Sequence, residues 1–278
     1  MNLKCTAVFL TMMATAYADK PKDPWYLFAD LHARKIVKNL CTNNKNLKFE
    51  AITSFQADNA QISNLRGFEC LSNLKLLSLK NNLIDSLTPL NTLKRLKTLF
   101  LSHNLITDAS ILSQLPKLEV LDLSHNKLQA SFLCNFEQLK DLNLSHNQIQ
   151  QFMTTESSKL LTKLNLSFNP ISQFPENLSL PSLQTLHCNS SFLQTLKPLL
   201  QLRSLEVLEV EHCSQLKSIQ ELFVKTNDRI DCRLPFLKSI KISEEFLDEA
   251  SKNLLNSMRQ KGALSRPIAI NGQQYGTK

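Results

Sequence analysis

Lys117 to Leu128 reads "KLEVLDLSHNKL", and nearly the same phrase stands at residues 95–106 as "RLKTLFLSHNLI" and at 138–149 as "QLKDLNLSHNQI". Written as L-x-x-L-x-L-x-x-N-x-L, the phrase begins at Leu74, Leu96, Leu118, Leu139, Leu161 and Leu183, with weaker copies at Ile52, Leu205 and Leu237. The steps are 21 or 22 residues until the last, which is 32. A fixed period of this length with this spelling is the signature of a leucine-rich repeat.

The physics behind the spelling is simple. L-x-L is a short strand whose leucines face one way while their neighbours face the other. One repeat cannot bury its leucines alone, so successive repeats stack and share a core. Asn82, Asn104, Asn126, Asn147 and Asn169 stand where the chain turns inward, and their amides can pair with buried backbone groups of adjacent turns. Ala60, Ser191 and Cys213 replace that Asn, so the ladder should weaken there.

The expected fold is an α/β solenoid: a horseshoe with a parallel concave sheet, about one helical or 3₁₀ turn per repeat on the convex side, and a helical cap at each end. The chain divides into a signal peptide (1–18), a helical N-terminal cap (19–48), about nine repeats (49–243) and a C-terminal helix and tail (244–278). Lys4, the apolar run "CTAVFLTMMAT" and the A-x-A site ending at Ala18 make the leader. Asp23 and Pro24 are read as the start of the first cap helix, whose apolar face is Ala29, Ala33, Ile36, Val37 and Leu40. At the other end Ser243 should cap a helix with the stripe Leu247, Ala250, Leu254 and Met258, ending at Gly262. "KSIQELFVKTNDRIDC" in the long step is expected to form a longer convex helix and loop, and residues after Arg266 a loose tail.

"ITSFQADNAQISNLRGFECLSNLKLLSLKNNLIDSLTPL" and the preceding "FADLHARKIVKNL" resemble the start of an internalin repeat domain, and the likeness runs from Phe28 to Leu186. Internalins are surface and secreted leucine-rich repeat proteins of bacteria. The resemblance implies an exported bacterial protein whose concave face holds another protein, often one of a host.

Net charge is +8, but Lys and Arg are spread along the chain, which describes a solvated surface rather than a nucleic-acid or membrane patch. No run after the leader reaches the roughly 18 apolar residues that span a bilayer. Six cysteines remain beyond the leader, and the expected bridges are Cys41 with Cys70 and Cys213 with Cys232. Four N-x-S sequons begin at Asn143, Asn165, Asn177 and Asn189; they matter only in a eukaryote, and two fall on the concave strand face.

Three arrangements invite a chemical reading. His103, His125 and His146 recur in register and could form a zinc row, yet no carboxylate recurs beside all three, and a polar rim is the preferred reading. In His187-Cys188 alternation sends Cys188 into the core as a small hydrophobe, and in His212-Cys213 the cysteine takes the ladder position of an Asn, where its weak S–H donor can serve. Asp122 and Asp141 on the open concave face make an acidic contact patch rather than a catalytic pair. Phosphate loops and nucleophile elbows are absent from the sequence.

The reading is therefore a non-enzymatic, monomeric protein-binding module, secreted to the extracellular space or the periplasm of a Gram-negative cell, without cofactor, metal or nucleic acid. A secreted animal pattern-recognition or matrix protein, and a phosphatase-regulating scaffold, are the alternatives. Solvent-facing strand positions should be polar unless something covers them. Leu76, Phe100 and Val120 break that rule on three consecutive repeats, bordered by His103, Asp122 and Asp141, and this is the expected partner site.

Overall fold

The computed structural model describes residues 27–43, 48–226, 229–260, 263–265 and 267–275, with the side chains of 41–43, 130 and 134 left aside. The leader, Asp23, Pro24, Gly262 and Arg266 lie outside those residues. No helix among them is long and apolar enough to cross a membrane.

Each L-x-L becomes a strand, usually of three residues: β1 (Ser54–Gln56), β2 (Leu76–Ser78), β3 (Thr98–Phe100), β4 (Val120–Asp122), β6 (Asp141–Asn143), β8 (Lys163–Asn165), β9 (Thr185–His187), β10 (Val207–Val210) and β13 (Ser239–Ile242). They pair in parallel and in register, so Leu77, Leu99, Leu121, Leu142, Leu164, Leu186 and Leu208 form one buried row. Parallel neighbours need a crossover, and here the convex segments supply it. Several are 3₁₀ turns, such as Thr88–Thr92, Ser110–Gln114 and Lys197–Gln201.

Two crossovers depart from that form. β5 (Gln129–Cys134) and β7 (Gln148–Thr154) build a second, two-stranded parallel sheet on the convex side. Phe132 and Phe152 face inward and stack with centroids 6.3 Å apart. The pairing shifts register after Ala130, so in β7 Gln150 and Gln151 both lie between buried Ile149 and Phe152.

The asparagine ladder forms as expected. Asn126 is representative: its Oδ1 accepts from the Ile106 N–H at 3.0 Å, and its Nδ2 donates to the carbonyls of Leu101 (2.9 Å) and Leu123 (3.0 Å). Asn82, Asn104, Asn147 and Asn169 repeat the pattern.

At the N-terminus, α1 (Leu31–Asn43) is capped by Asp30. Asp30 Oδ1 accepts from the His32 and Ala33 N–H groups, while Oδ2 accepts from those of Ser63 and Asn64 and from the Ser63 hydroxyl. One carboxylate thus caps the helix and ties it to the first repeat. Ala33 and Val37 are buried, and Ala29, expected on that face, is exposed because it precedes the helix. The anchor is Phe28, wholly buried, with edge-to-face contacts to Phe49 and Phe68. Gly67 makes room for it. Its φ is +105°, and a Cβ there would stand 2.6 Å from Phe28 Cα.

The C-terminal region differs from expectation at four points. The 32-residue step carries an antiparallel hairpin, β11 (Phe223–Lys225) with β12 (Ile230–Cys232), instead of a long helix. The terminal helix α2 (Glu249–Met258) is capped by Asp248, whose side chain accepts from the Ser251 N–H. Ser243 instead accepts from the His212 N–H across the repeat. The buried stripe of α2 is Ser251, Leu255 and Met258, and Ala250 is exposed.

Beyond Arg266 the chain is no tail within the described residues. β14 (Ile268–Ile270) extends the sheet in parallel next to β13, and β15 (Gln273–Tyr275) folds back on it. The turn is Asn271-Gly272, both at positive φ (49° and 83°), the backbone a two-residue hairpin demands.

Nor does the C-terminal bridge form. Cys213 is a buried free thiol whose Sγ donates to the Cys188 carbonyl at 3.2 Å and contacts Ser191 Oγ at 3.3 Å. Its sulfur serves the ladder instead. Cys70 is a free thiol as well, and the side chain of Cys41 is outside the described set.

Candidate functional site: the concave sheet

Two side-chain rows cover the concave face because strand neighbours alternate. Leu76, Thr98, Val120, Asp141 and Lys163 follow one another in the first row. Ser78, Phe100, Asp122, Asn143 and Asn165 follow in the second. Leu76 and Val120 therefore flank Thr98, while Phe100 stands two residues along the same strand. The three expected apolar residues surround β3, all half-buried.

The polar surroundings of this patch are well tied. Lys80 Nζ sits 4.3 Å from the centroid of the Phe100 ring, a cation–π contact that leaves only part of the ring open. Ser78, expected to face solvent, is buried because its hydroxyl donates to Asp58 Oδ1 at 2.7 Å. Asp122 Oδ1 accepts from the Ser124 N–H and hydroxyl. Asp141 neighbours Val120 on one side and Lys163 on the other. Asp122 and Asp141 lie in different rows and on adjacent strands, so they stand diagonally.

His103 belongs to another feature. His103, His125 and His146 stack face to face with centroids 4.0 Å apart and planes within 12°. Phe168 continues the stack at 4.1 Å from His146. Each residue of the column has φ between 53° and 59°, and the same left-handed turn, repeated once per strand, lays the rings in line. Burial holds the His125 pKa below its ordinary value, and the neighbouring His146 and His103 add to this against a smaller opposing pull from Asp122. Phe168 was readable in the sequence, since S-F-N occupies the place of S-H-N.

A second polar group was not foreseen. His187 Nδ1 meets Glu209 Oε2 at 2.6 Å, and Lys241 Nζ meets Glu209 Oε1 at 2.7 Å. Burial resists ionisation of Glu209, but the hydrogen bonds from Lys241 and His187 overcome it and hold its pKa below the usual carboxylate range. These residues come from three strands that pair in order, β9, β10 and β13. The long final step hides that adjacency in the sequence. Cys188 next to His187 is fully buried and its thiol pKa is pushed well up, the reverse of what a nucleophile needs.

Profiles of known families match the repeats themselves: leucine-rich repeats in two copies at residues 94–135, and single leucine-rich repeats at 138–150 and 160–180. No curated protein sequence gives a significant match. Among solved structures, internalin C2 from Listeria monocytogenes superposes with a TM-score of 0.65 at 23% identity, over 81% of this chain and 98% of that one. An internalin F structure from the same organism aligns with a TM-score of 0.46 at 18% identity, over 91% of this chain and 94% of that one. The chain carries leucine-rich repeats and shares the fold of internalin C2.

Proposed function

We propose that the chain is an exported, non-enzymatic binding module that holds a protein partner on its concave face, with Leu76, Phe100 and Val120 as the central contact. The observation that carries this reading is the grouping of three half-exposed apolar side chains around β3, in rows where most other outward residues are polar. An apolar cluster with an aromatic centre and a polar rim has the make-up of a binding hot spot. Asp122 beside Phe100 and Asp141 beside Val120 would set orientation more than affinity, whereas His103 belongs to the ring column. The leader at 1–18 supports export to the extracellular space or a periplasm. The fold shared with internalin C2 supports a bacterial source, and with it a partner on a host.

The test uses the chain from Asp19 onward as bait in host and bacterial extracts, beside Phe100→Ala and a convex control, Leu133→Ala. Phe100 lies outside the leucine core, so its truncation should leave the melting curve nearly intact and cost about 2 kcal/mol of partner binding. Leu133 is exposed on the other side of the molecule and its loss should change nothing. Retained binding by a normally folded Phe100→Ala, or equal loss with Leu133→Ala, would move the site off this patch. Met1 on the N-terminus of the mature, folded protein would sink the export reading by itself.

A further inference from the structure

The ring column stops one residue short. Positions 103, 125, 146, 168, 190 and 212 all hold left-handed backbone, with φ from 53° to 59°, so their side chains leave the chain in parallel. Rings fill the first four of these rungs at 4.0 to 4.1 Å spacing. The fifth is Ser190, whose side chain is too small to cover the ring before it. Phe168 is 48% exposed, and among the described residues no ring but His146 stacks on it.

A depression of about 240 Å³ lies beside Phe168, lined by His146, Asn165, His187, Asn189 and Glu209 among others, and Ser190 and Glu211 adjoin it at Asn189. Its acidic side is the more available one. Glu209 is shared between His187 and Lys241. Glu211 stands beside Ser190: its carbonyl accepts from the Ser190 N–H at 2.7 Å, and its N–H donates to Asn189 Oδ1 at 2.8 Å. The Glu211 carboxylate makes no hydrogen bond or ion pair among the described residues, although it lies near enough to Lys241 to help keep that ammonium charged. Glu209 is thus committed to Lys241 and to His187, one of two imidazoles in the lining with His146, and Glu211 is the carboxylate left without a partner beside it.

An uncovered aromatic face, a small residue opposite and a carboxylate at the rim define a ligand by chemistry. A guanidinium is flat, stacks on an aromatic face and presents several donors to a carboxylate at once. An ammonium carries the charge but does not stack. A neutral ring stacks but leaves the carboxylate unmatched. We infer that the depression beside Phe168 is a binding site for the guanidinium of an arginine side chain, which completes the ring column over Ser190 and pairs with Glu211. The site is separate from the Phe100 patch, and neither depends on the other.

The test is an NMR titration of the chain from Asp19 onward with Nα-acetylarginine methylamide, beside the corresponding lysine amide and p-cresol. Saturable shifts should appear at Phe168, Ser190 and Glu211, with the arginine probe about tenfold tighter than the lysine one. Phe168→Ala should abolish the response and Phe168→Tyr should keep it. Glu211→Gln should weaken it about tenfold. Because Phe168 is exposed, the remaining amide spectrum of the variants should match wild type, which separates loss of the site from loss of the fold. Equal binding of the lysine probe, tighter binding of p-cresol, an unaffected Phe168→Ala, or no shift at these residues at any arginine-probe concentration would each overturn the inference.

Discussion

The middle of the solenoid and its two ends solve one problem with different chemistry. From Asn82 to Asn169 a buried amide crosses every repeat boundary, accepting one N–H (two at Asn82) and donating to carbonyls on both sides. At the N-terminal end the equivalent position is Ala60, and a carboxylate from outside the repeats, Asp30, collects the N–H groups of Ser63 and Asn64. Toward the C-terminus the position passes to Ser191 and Cys213, which donate to the Cys188 carbonyl but supply no amide oxygen. The Leu193 N–H, equivalent to the Ile106 N–H that Asn126 receives, meets no acceptor among the described residues. Identical strands are thus joined by strong rungs in the middle and by improvised ones outside it, and the Phe100 patch sits on the strong part.

The largest expected effect breaks a middle rung. Asn126→Ala leaves one buried N–H and three carbonyls without their side-chain partner. Orphaning buried polar groups costs roughly 1–3 kcal/mol each where nothing replaces the partner, and the carbonyls keep other bonds, so the net should be about 3 kcal/mol. Denaturant melts of the variant check this, and a loss no greater than that of an exposed substitution would mean the ladder contributes little.

Next comes the N-terminal substitute. Asp30→Ala removes a helix cap and the link to Ser63 and Asn64 together, and should cost about 2 kcal/mol. It also carries a pH signature. Burial raises the Asp30 pKa, but the N–H groups of Ser63, Ala33, Asn64 and His32 outweigh this and hold it below its ordinary 3.8. The unfolded chain therefore takes up this proton first as pH falls. Its stabilisation is complete above the ordinary value and is lost as pH drops through the lower, folded one. Melts of wild type and Asp30→Ala should converge in that acid window. A constant gap down to the lowest pH would assign the effect to packing instead.

How far the sequence foretells this contrast varies by element. The repeat period, the ladder positions and the apolar trio of Leu76, Phe100 and Val120 are periodic features, and periodicity is what a single sequence displays. What escaped depends on partners distant in the chain. Asp30 reads as one more helix residue until Ser63 is placed beside it. Gly67 reads as a turn until Phe28 packs over it. Cys213 reads both as a ladder position and as half a disulfide until Cys188 and Ser191 claim its sulfur for the ladder. The Asn271-Gly272 hairpin did have a local signal, a turn pair between alternating apolar residues, but it lay past the last repeat, where a tail was expected. In β5 and β7 a bulge breaks the alternation that would have marked them as strands, and the short convex turn of the neighbouring repeats was the nearer template.

A smaller effect runs in the opposite direction and sharpens the comparison. Cys213→Asn brings an amide oxygen to the rung that lacks one, within reach of the Leu193 N–H by analogy with Asn126 and Ile106. The gain should be about 1 kcal/mol, visible as a higher denaturant midpoint with an unchanged slope. A destabilised variant would show that the C-terminal repeats are shaped around the thiol and cannot accept an amide.

Native-state hydrogen exchange reads the contrast residue by residue in the unaltered protein. Ile84, Ile106, Leu128 and Ile149, whose N–H groups are held by ladder asparagines, should exchange only through global unfolding. Leu193, equally buried but without a rung oxygen, should exchange faster through local opening. Protection of Leu193 equal to that of Ile106 would contradict the claim that the amide ladder sets the rigidity of the middle repeats.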